Sequence, residues 1–279
     1  TENIAIGKDA GDAITSGAGN VIVGATAGGA NQTSNYNVYA GYYAGAANTG
    51  AENVAIGACF SSNTSASQCV AIGRSAIGNA AATQAGTVAI GFESLKVLTS
   101  GAGNTAVGYK TMLEETTGAN NTVLGYQAMD DSLAGLGNNL NVFVGKDSGG
   151  GTWLSNPSHY NVAVGALTMD ANMNNAEYNV ALGYTSLSAA TTAQHNTAVG
   201  AGSGSGISTG YQNVFVGKNA GSTSTGGTFN TIVGPNADVD SSSDSYQTKI
   251  GSYGIKKWKT VRVTINDYTP SDWTDNDAA

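Results

Sequence analysis

The sequence is poor in the residues on which most enzymes, metal sites and membrane proteins depend. Its 279 residues include only 2 cysteines, 2 histidines and 3 prolines, and 11% of them are charged. No apolar run approaches the roughly 18 residues that a membrane-spanning helix needs, so we expect no membrane insertion. The formal net charge of −8 argues against nucleic acid as a partner, because both molecules would be negative.

The few reactive residues form no known catalytic or metal-binding motif. Cys59 and Cys69 lack the paired spacing of a zinc site, and they form either a disulfide or two buried thiols. His159 and His195 lie just ahead of a repeated asparagine, and neither belongs to a Ser-His-Asp spacing. We therefore expect no catalytic residue, no metal and no cofactor.

A five-residue motif recurs throughout the chain and organises it. Its clearest copy is Asn53-Val54-Ala55-Ile56-Gly57. Fifteen copies follow one another at intervals of 16 to 20 residues, most often 17, and every copy closes with glycine. The closing glycines are Gly7, Gly24, Gly41, Gly57, Gly73, Gly91, Gly108, Gly125, Gly145, Gly165, Gly183, Gly200, Gly217, Gly234 and Gly251. Self-similarity at this period is typical of a solenoid, in which each repeat forms one coil.

The slots of the motif predict a short β-strand. The second slot holds only Val, Ile or Thr, and the fourth is aliphatic in 14 of 15 copies, with Ala40 as the exception. Because side chains alternate across a strand, these slots share one face, which we expect to be buried in every coil. The third slot points the other way and varies from Ala to Tyr39, Phe143, Phe215 and Lys249. We expect that face to be tightly packed in some coils only.

The residues around the strand predict corners and a second strand. The closing glycine suits a positive φ or the close approach of another coil. The leading asparagine tolerates left-handed conformations, and equivalent asparagines could hydrogen-bond from coil to coil. A small residue follows each glycine at the third position, except at Phe60, which favours a second short strand. The sequence thus predicts an all-β fold, a parallel β-solenoid or β-roll of about 15 coils and roughly 70 Å.

Larger side chains recur after the glycines of three consecutive coils. They are Phe92, Leu95, Met112, Leu113, Tyr126 and Met129. A stripe that returns once per coil predicts a packed seam rather than a ligand groove. In a fibre, we expect this seam to be the contact between protomers.

Two longer coils, 125–145 and 145–165, interrupt the regular period. They contain Trp153, His159 and Tyr160, and insertions in solenoids often carry binding residues. If Trp153 is exposed, this group could stack on a sugar ring and serve as a receptor contact. Alternatively, Trp153 covers a break in the stack.

The repeat ends near Gly251, and the pattern then changes. Residues 255–265 alternate apolar with charged side chains, which predicts an exposed or edge strand, and an acidic tail follows. We therefore divide the chain into a solenoid shaft, 1–254, and a C-terminal strand and tail, 255–279. The second segment either caps the last coil or joins a partner.

The repeats resemble those of two groups of extracellular fibre proteins. The Asn-Val-Ala-Ile-Gly unit with a small residue three positions later is similar to the head repeat of YadA-like trimeric autotransporter adhesins, whose unit is shorter. Those heads are left-handed parallel β-rolls in a homotrimer. The longer form, from Asn104 to Met129, resembles the shaft repeat of bacteriophage tail fibres. Such fibres often end in an endosialidase-type chaperone, whose Ser-Asp-x-Arg-Leu-Lys opening is absent from this sequence.

The resemblance covers about residues 1–254 and implies a structural, adhesive fibre protein rather than an enzyme. We expect a homotrimeric tail-fibre shaft in a virion, which contacts other fibre proteins and positions binding to a host surface glycan or protein. A trimeric adhesin of the bacterial surface is the main alternative.

Two further alternatives have less support from the sequence. A β-helical polysaccharide depolymerase would use carboxylates such as Asp130 and Asp131. Ice binding would need an outward threonine ladder, whereas the second-slot threonines share the face that we expect to be buried.

Overall fold

The described part of the chain forms fifteen short parallel strands, one in each copy of the motif. The computed structural model describes residues 2–60, 62, 65–78, 83–132 and 135–251, and these contain no helix. The strands are β1 (Ile4–Ile6), β2 (Val21–Val23), β3 (Val38–Ala40), β4 (Val54–Ile56), β5 (Val70–Ile72), β6 (Val88–Ile90), β7 (Thr105–Val107), β8 (Thr122–Leu124), β9 (Val142–Val144), β10 (Val162–Val164), β11 (Val180–Leu182), β12 (Thr197–Val199), β13 (Val214–Val216), β14 (Thr231–Val233) and β15 (Thr248–Ile250). They form one sheet in sequence order. The predicted parallel β-solenoid is confirmed, while the predicted C-terminal strand and tail, 255–279, lie outside the described residues.

The register of the sheet places each slot beside the same slot of the next coil. Ala55 pairs with Ala71, and across a 20-residue coil Phe143 still pairs with Ala163. The extra residues of the longer coils therefore lie in the turns and do not shift the strands. Equivalent side chains consequently stack into columns along the axis, at the spacing of neighbouring strands.

The side chains alternate as predicted, but the buried face is the opposite one. The third-slot residues Ile22, Tyr39 and Phe143 are fully buried, whereas the fourth-slot residue Ile56 is 43% exposed. The expectation that slots two and four are buried in every coil is therefore wrong for the single chain. The reason is that the remainder of each coil folds over the third-slot side. The second-slot threonines also face outward, interspersed with valines. Ice binding was disfavoured because these threonines were expected to be buried, and that expectation is wrong as well.

The interior is filled by the third slot together with side chains from the turns. The fourth residue after the glycine is buried at Leu95, Met112 and Met129, which all have no exposed surface. The predicted stripe is thus a packed seam, but it lies inside each coil and is not a contact between protomers.

In the described coils, the segment after the closing glycine is a series of turns, and the predicted second strand is wrong. Lys110 and Met112, the second and fourth residues after Gly108, have φ values of +53° and +51°. A left-handed conformation at every second residue is incompatible with an extended strand. The residue between them, Thr111, is fully buried, which accounts for the small side chains at this position.

The closing glycines allow adjacent coils to approach closely, as predicted. At Gly108 φ is +145°, and a Cβ atom would lie 2.1 Å from the carbonyl oxygen of Gly125. At Gly165 φ is +141°, and the same atom would lie 2.7 Å from Gly183. Any side chain here would therefore collide with backbone rather than with a flexible group.

The leading asparagines form a hydrogen-bonded ladder along the axis, which confirms that prediction. The backbone N–H and Nδ2 of Asn161 donate to Oδ1 of Asn141 at 3.0 and 3.2 Å. Nδ2 of Asn161 also donates to the carbonyl of Ala176 at 2.8 Å. Each buried amide therefore satisfies groups in two neighbouring coils, which explains why this slot favours asparagine.

The ladder is interrupted where Cys69 and Thr87 replace asparagine. The Thr87 hydroxyl is buried without a hydrogen-bond partner. The left-handed corner residue is the one before the asparagine, for example Tyr160 with φ of +59°. The proposed left-handed role of asparagine itself is therefore wrong.

Candidate functional site

The largest candidate surface is the outward sheet face, which we define as the second-slot and fourth-slot side chains of β1–β15. Because the strands stack in register, the face continues from the first coil to the last. Its most exposed aliphatic side chains are Ile4, Ile6, Val23, Val38, Ile56, Val164, Leu182, Val214, Val216 and Ile250, each 36–60% exposed. An extended apolar patch on a protein surface typically marks an interaction site.

The outward sheet face contains no ionisable side chain. Its slots hold Val, Ile, Leu and Thr, with Ala40 as the smallest member. Most of these side chains are β-branched and have few rotamers, so the face is stiff, and it is apolar apart from five second-slot threonines. Such a surface can bind another stiff apolar surface, and it offers no group for acid–base or metal chemistry.

Trp153 lies in the interior and not on the surface. Its side chain has no exposed area, its Nε1 donates to the carbonyl of Gly149 at 2.9 Å, and its ring meets Phe143 edge to face at 5.7 Å. The expectation of an exposed Trp153 that stacks on a sugar is therefore wrong. Burial of the ring beside Phe143 agrees with the alternative role in packing.

The other two predicted contact residues, His159 and Tyr160, are neighbours near the surface. Tyr160 is 45% exposed, and its ring stacks on Tyr178 at 4.7 Å. His159 accepts a hydrogen bond from the backbone N–H of Asn139 through Nδ1 at 3.0 Å. The structure brings these two side chains together but separates both from the buried Trp153 ring. Their role in receptor contact stays a prediction.

Tyr160 begins a stack of three rings that we call the Tyr178 ladder. Tyr160, Tyr178 and His195 occupy the position before the asparagine in successive coils, with centroids 4.7 and 4.8 Å apart and planes within 9°. The ladder therefore follows directly from the register of the coils. It places His195 in a stacking position, which supports a structural role for this histidine.

A second stack, the Tyr109 ladder, was not recognised from the sequence. It consists of Phe92, Tyr109 and Tyr126, each directly after a closing glycine, with centroids 5.4 and 5.1 Å apart. Tyr109 is 40% exposed and Tyr126 is 49% exposed. The available signal was an aromatic residue at the same position in three consecutive copies.

The carboxylates considered for catalysis are held by neighbours in the turns. Asp130 accepts a hydrogen bond from Nε2 of Gln127 at 2.9 Å, and Asp131 accepts one from the Thr152 hydroxyl. Burial raises the pKa of Asp130, and the charges of Asp131 and Asp147 raise it further. No group of three or more His, Cys, Asp and Glu side chains in the described part of the chain could hold a metal ion.

The two cysteines are separate buried thiols. Sγ of Cys59 donates to the carbonyl of Ala71 at 3.2 Å, and no disulfide joins it to Cys69. Burial raises the pKa of Cys59 to about 12. A thiol with this pKa is unreactive at neutral pH, so it contributes to packing rather than chemistry.

The architecture defines a class, the parallel β-solenoid repeat proteins with one short strand per coil. No protein-family model matches the sequence, and no curated protein matches it significantly. Among the residues that the structure describes, none form a helix of the length and hydropathy required to cross a membrane. The class is therefore assigned from the coil geometry alone.

Proposed function

We propose that the chain is the shaft of a homotrimeric, non-enzymatic fibre of the bacteriophage tail-fibre type, which positions a contact with a host-cell surface. The observation that carries this proposal is the continuous outward sheet face, whose fourth-slot column is apolar from β1 to β15. A monomer in solution would leave these aliphatic side chains in water. Burial of apolar area contributes about 25 cal/mol per Å², so a stripe of this length favours association.

The shape of the surface supports identical copies as the occupants. The face is flat and repeats at the spacing of the strands, so a second copy offers a matching row of side chains at the same spacing. Three copies around a common axis would each turn one face inward and leave the turns in solvent. The resemblance to trimeric fibre repeats supports three copies rather than two.

The mass of the particle in solution tests the trimer. Light scattering during gel filtration should give three times the 27.8 kDa chain mass. Ile56→Glu combined with Val164→Glu would place two carboxylates on the outward sheet face and should give a folded monomer. Thr192→Glu with Ser155→Glu adds the same charge at exposed turn positions, so it should leave the trimer intact. A wild-type monomer at micromolar concentration would contradict the proposal.

Adhesion is tested separately from assembly. The fluorescently labelled protein should bind susceptible bacterial cells saturably and compete with unlabelled protein. It should release no reducing sugar from the cell surface, because the proposal includes no catalysis. Release of sugar that stops in an Asp130→Asn, Asp131→Asn variant would instead support the depolymerase.

A further inference from the structure

The asparagine ladder has a gap at the corner of β5 and β6. Asparagine leads the motif in β1–β4 and again in β7–β14, whereas Cys69 and Thr87 take this position in β5 and β6. In the last intact step before the gap, Nδ2 of Asn53 donates to the carbonyl of Ala66 at 2.8 Å. In the gap, Sγ of Cys69 lies 3.8 Å from the corresponding carbonyl, that of Gln84. A thiol is a weak donor, so the ladder contributes little to the contact between these two coils.

Three polar atoms beside this gap are buried without a hydrogen-bond partner. They are the hydroxyl oxygen of Thr87 and both polar atoms of the Gln84 carboxamide. Thr87 is fully buried, and Gln84 is 1% exposed. Water can satisfy these groups once the coils separate, whereas the closed stack leaves them unpaired. Separating the coils of β5 and β6 therefore costs less free energy than separating two coils with an intact ladder.

Another buried carboxamide, that of Asn31, also lacks hydrogen-bond partners. The ladder is intact in its neighbourhood, however, because Nδ2 of Asn37 donates to Oδ1 of Asn20 at 3.2 Å. Among the coils that the structure describes, the corner of β5 and β6 is the one that combines unpaired buried groups with missing ladder bonds. This corner is therefore the weakest contact between neighbouring coils.

The backbone hydrogen bonds of the sheet continue across the gap. The N–H of Val70 donates to the carbonyl of Thr87 at 2.9 Å, and the N–H of Val88 donates to that of Asn104 at 2.8 Å. Val70 and Val88 also stay paired in register. The gap is therefore a local weakness in a stack that is otherwise continuous, and the strands can close again after they separate.

We propose that the coils of β5 and β6 form a hinge, where the solenoid opens reversibly before the coils on either side unfold. In a solenoid each coil contacts only its neighbours, so the weakest contact decides where the stack opens. The hinge divides the solenoid into an N-terminal arm, β1–β4, and a C-terminal arm, β7–β15, and it lets the rod bend at one place. The inference concerns the stack itself, so it goes beyond the proposed function and holds for a monomer as well as a trimer.

Hydrogen exchange measured by mass spectrometry locates the hinge in the intact protein. Strand amides of β5 (Val70–Ile72) and β6 (Val88–Ile90) should exchange at least about tenfold faster than those of β9 (Val142–Val144) and β10 (Val162–Val164), where the ladder is intact. The factor follows from the buried groups that are unpaired only in the closed hinge. Equal exchange in the four strands, or slower exchange in β5 and β6, overturns the proposal.

Repair of the ladder tests the cause. Cys69→Asn with Thr87→Asn completes the row of asparagines from β1 to β14, so exchange in β5 and β6 should slow at least about tenfold. Exchange in β9 and β10 should stay within about twofold. Thr192→Asn with Ser155→Asn adds the same side chains at exposed turn positions and should change neither pair of strands. A repaired protein whose β5 and β6 exchange at the wild-type rate contradicts the proposal.

A buried thiol gives a second measurement that does not depend on the repaired protein. Sγ of Cys59 donates to the carbonyl of Ala71 in β5, so a reagent reaches it only when the β4 and β5 coils separate. Ellman's reagent should label wild-type Cys59 at urea concentrations below the unfolding transition, as the hinge opens. Labelling that begins only with global unfolding overturns the proposal.

The reverse substitution moves the weakness to another coil. Asn161→Thr removes the ladder bonds of β10, so exchange in Val162–Val164 should rise at least about tenfold while exchange in Val70–Ile72 stays within about twofold. Unchanged exchange in β10 would show that the ladder does not determine where the stack opens. The oligomeric state decides none of these results, so they succeed or fail independently of the proposed function.

Discussion

The coils of β11 and β13 fill the same interior space in two opposite ways. In the β13 coil the third slot is Phe215 and the fourth residue after the closing glycine is Gly221. In the β11 coil these positions are Ala181 and Leu187, and all three side chains are fully buried. The interior thus has a fixed width that one large side chain fills from either side.

Five further coils follow the same pattern, whereas the β12 coil has Ala198 with Gly204, and a Cβ atom on Gly204 would lie 2.8 Å from both Leu187 and Phe215 of the neighbouring coils. Tyr39 with Gly45, and Phe143 with Gly149, are of the β13 type, while Ala89 with Leu95, Ala106 with Met112, and Ala163 with Met169 are of the β11 type. A Cβ atom on Gly45 would lie 2.7 Å from the Tyr39 ring, and one on Gly149 would lie 2.9 Å from the Phe143 ring. The third slot and the fourth residue after the glycine therefore depend on each other in size. A substitution that enlarges or shrinks only one of them should destabilise the protein.

The largest effect should follow from placing two large side chains in one coil. In Gly221→Leu, the new Cβ would lie 2.1 Å from the Phe215 ring, at a backbone φ of +64°. We expect a loss of at least about 4 kcal/mol in unfolding free energy, or failure to fold. Urea unfolding measures the loss. Gly226→Ala, where the nearest atom is the Thr209 hydroxyl at 3.3 Å, should lose less than about 1 kcal/mol.

A smaller effect is expected when the β13 coil is converted to the β11 type. Phe215→Ala alone leaves a cavity and should lose about 3–5 kcal/mol. Phe215→Ala combined with Gly221→Leu should be more stable than the two single losses predict, by about 2–3 kcal/mol in a double-mutant cycle. Leu187 already occupies the equivalent position with φ of +50°, so the backbone accommodates leucine there. Additive losses would show that the two positions do not share one space.

The smallest effect concerns the coil whose interior contains the carboxyl group of Glu115. Glu115 is fully buried, its Oε1 accepts from the N–H of Gly118 at 2.8 Å, and its Oε2 accepts from Nδ2 of Asn138 at 2.9 Å. Burial raises the pKa of Glu115 above its usual range, despite these hydrogen bonds. The folded state therefore binds the proton more tightly than the unfolded state. The contribution of Glu115 to stability is complete below the usual carboxyl pKa and is lost as the pH rises through the raised pKa.

This pH dependence can be measured against a neighbouring carboxylate. Between pH 4 and 8, wild type should lose stability relative to Glu115→Gln, with a slope of at most about 1.4 kcal/mol per pH unit for one proton. Glu114→Gln, at the adjacent exposed residue, should keep the wild-type slope. Parallel curves for wild type and Glu115→Gln would contradict the assignment.

The sequence pattern predicted which side chains form the outward sheet face, but it did not predict the direction in which that face points. The motif predicted where Val54 and Ile56 lie along a strand and that they share a face. It did not predict that this face points outward, because both faces are apolar and alternation alone does not say which is inside. The pairing of Phe215 with Gly221 and of Ala181 with Leu187 held that information, since only interior positions compensate in volume. The sequence left the position of Trp153 open between surface and interior because it follows its glycine by eight residues, whereas Leu98 follows by seven in a regular coil.

By itself, the sequence determined the number of coils, the strand in each, the closing glycines and the asparagine ladder. These features are local or repeat at a fixed period, so each copy confirms the others. Only the tertiary structure decided which face of the sheet is interior, that a tryptophan fills the core, and that rings from separate coils form one row. Those features depend on how the turns close each coil and stack it on the next, which no single repeat specifies.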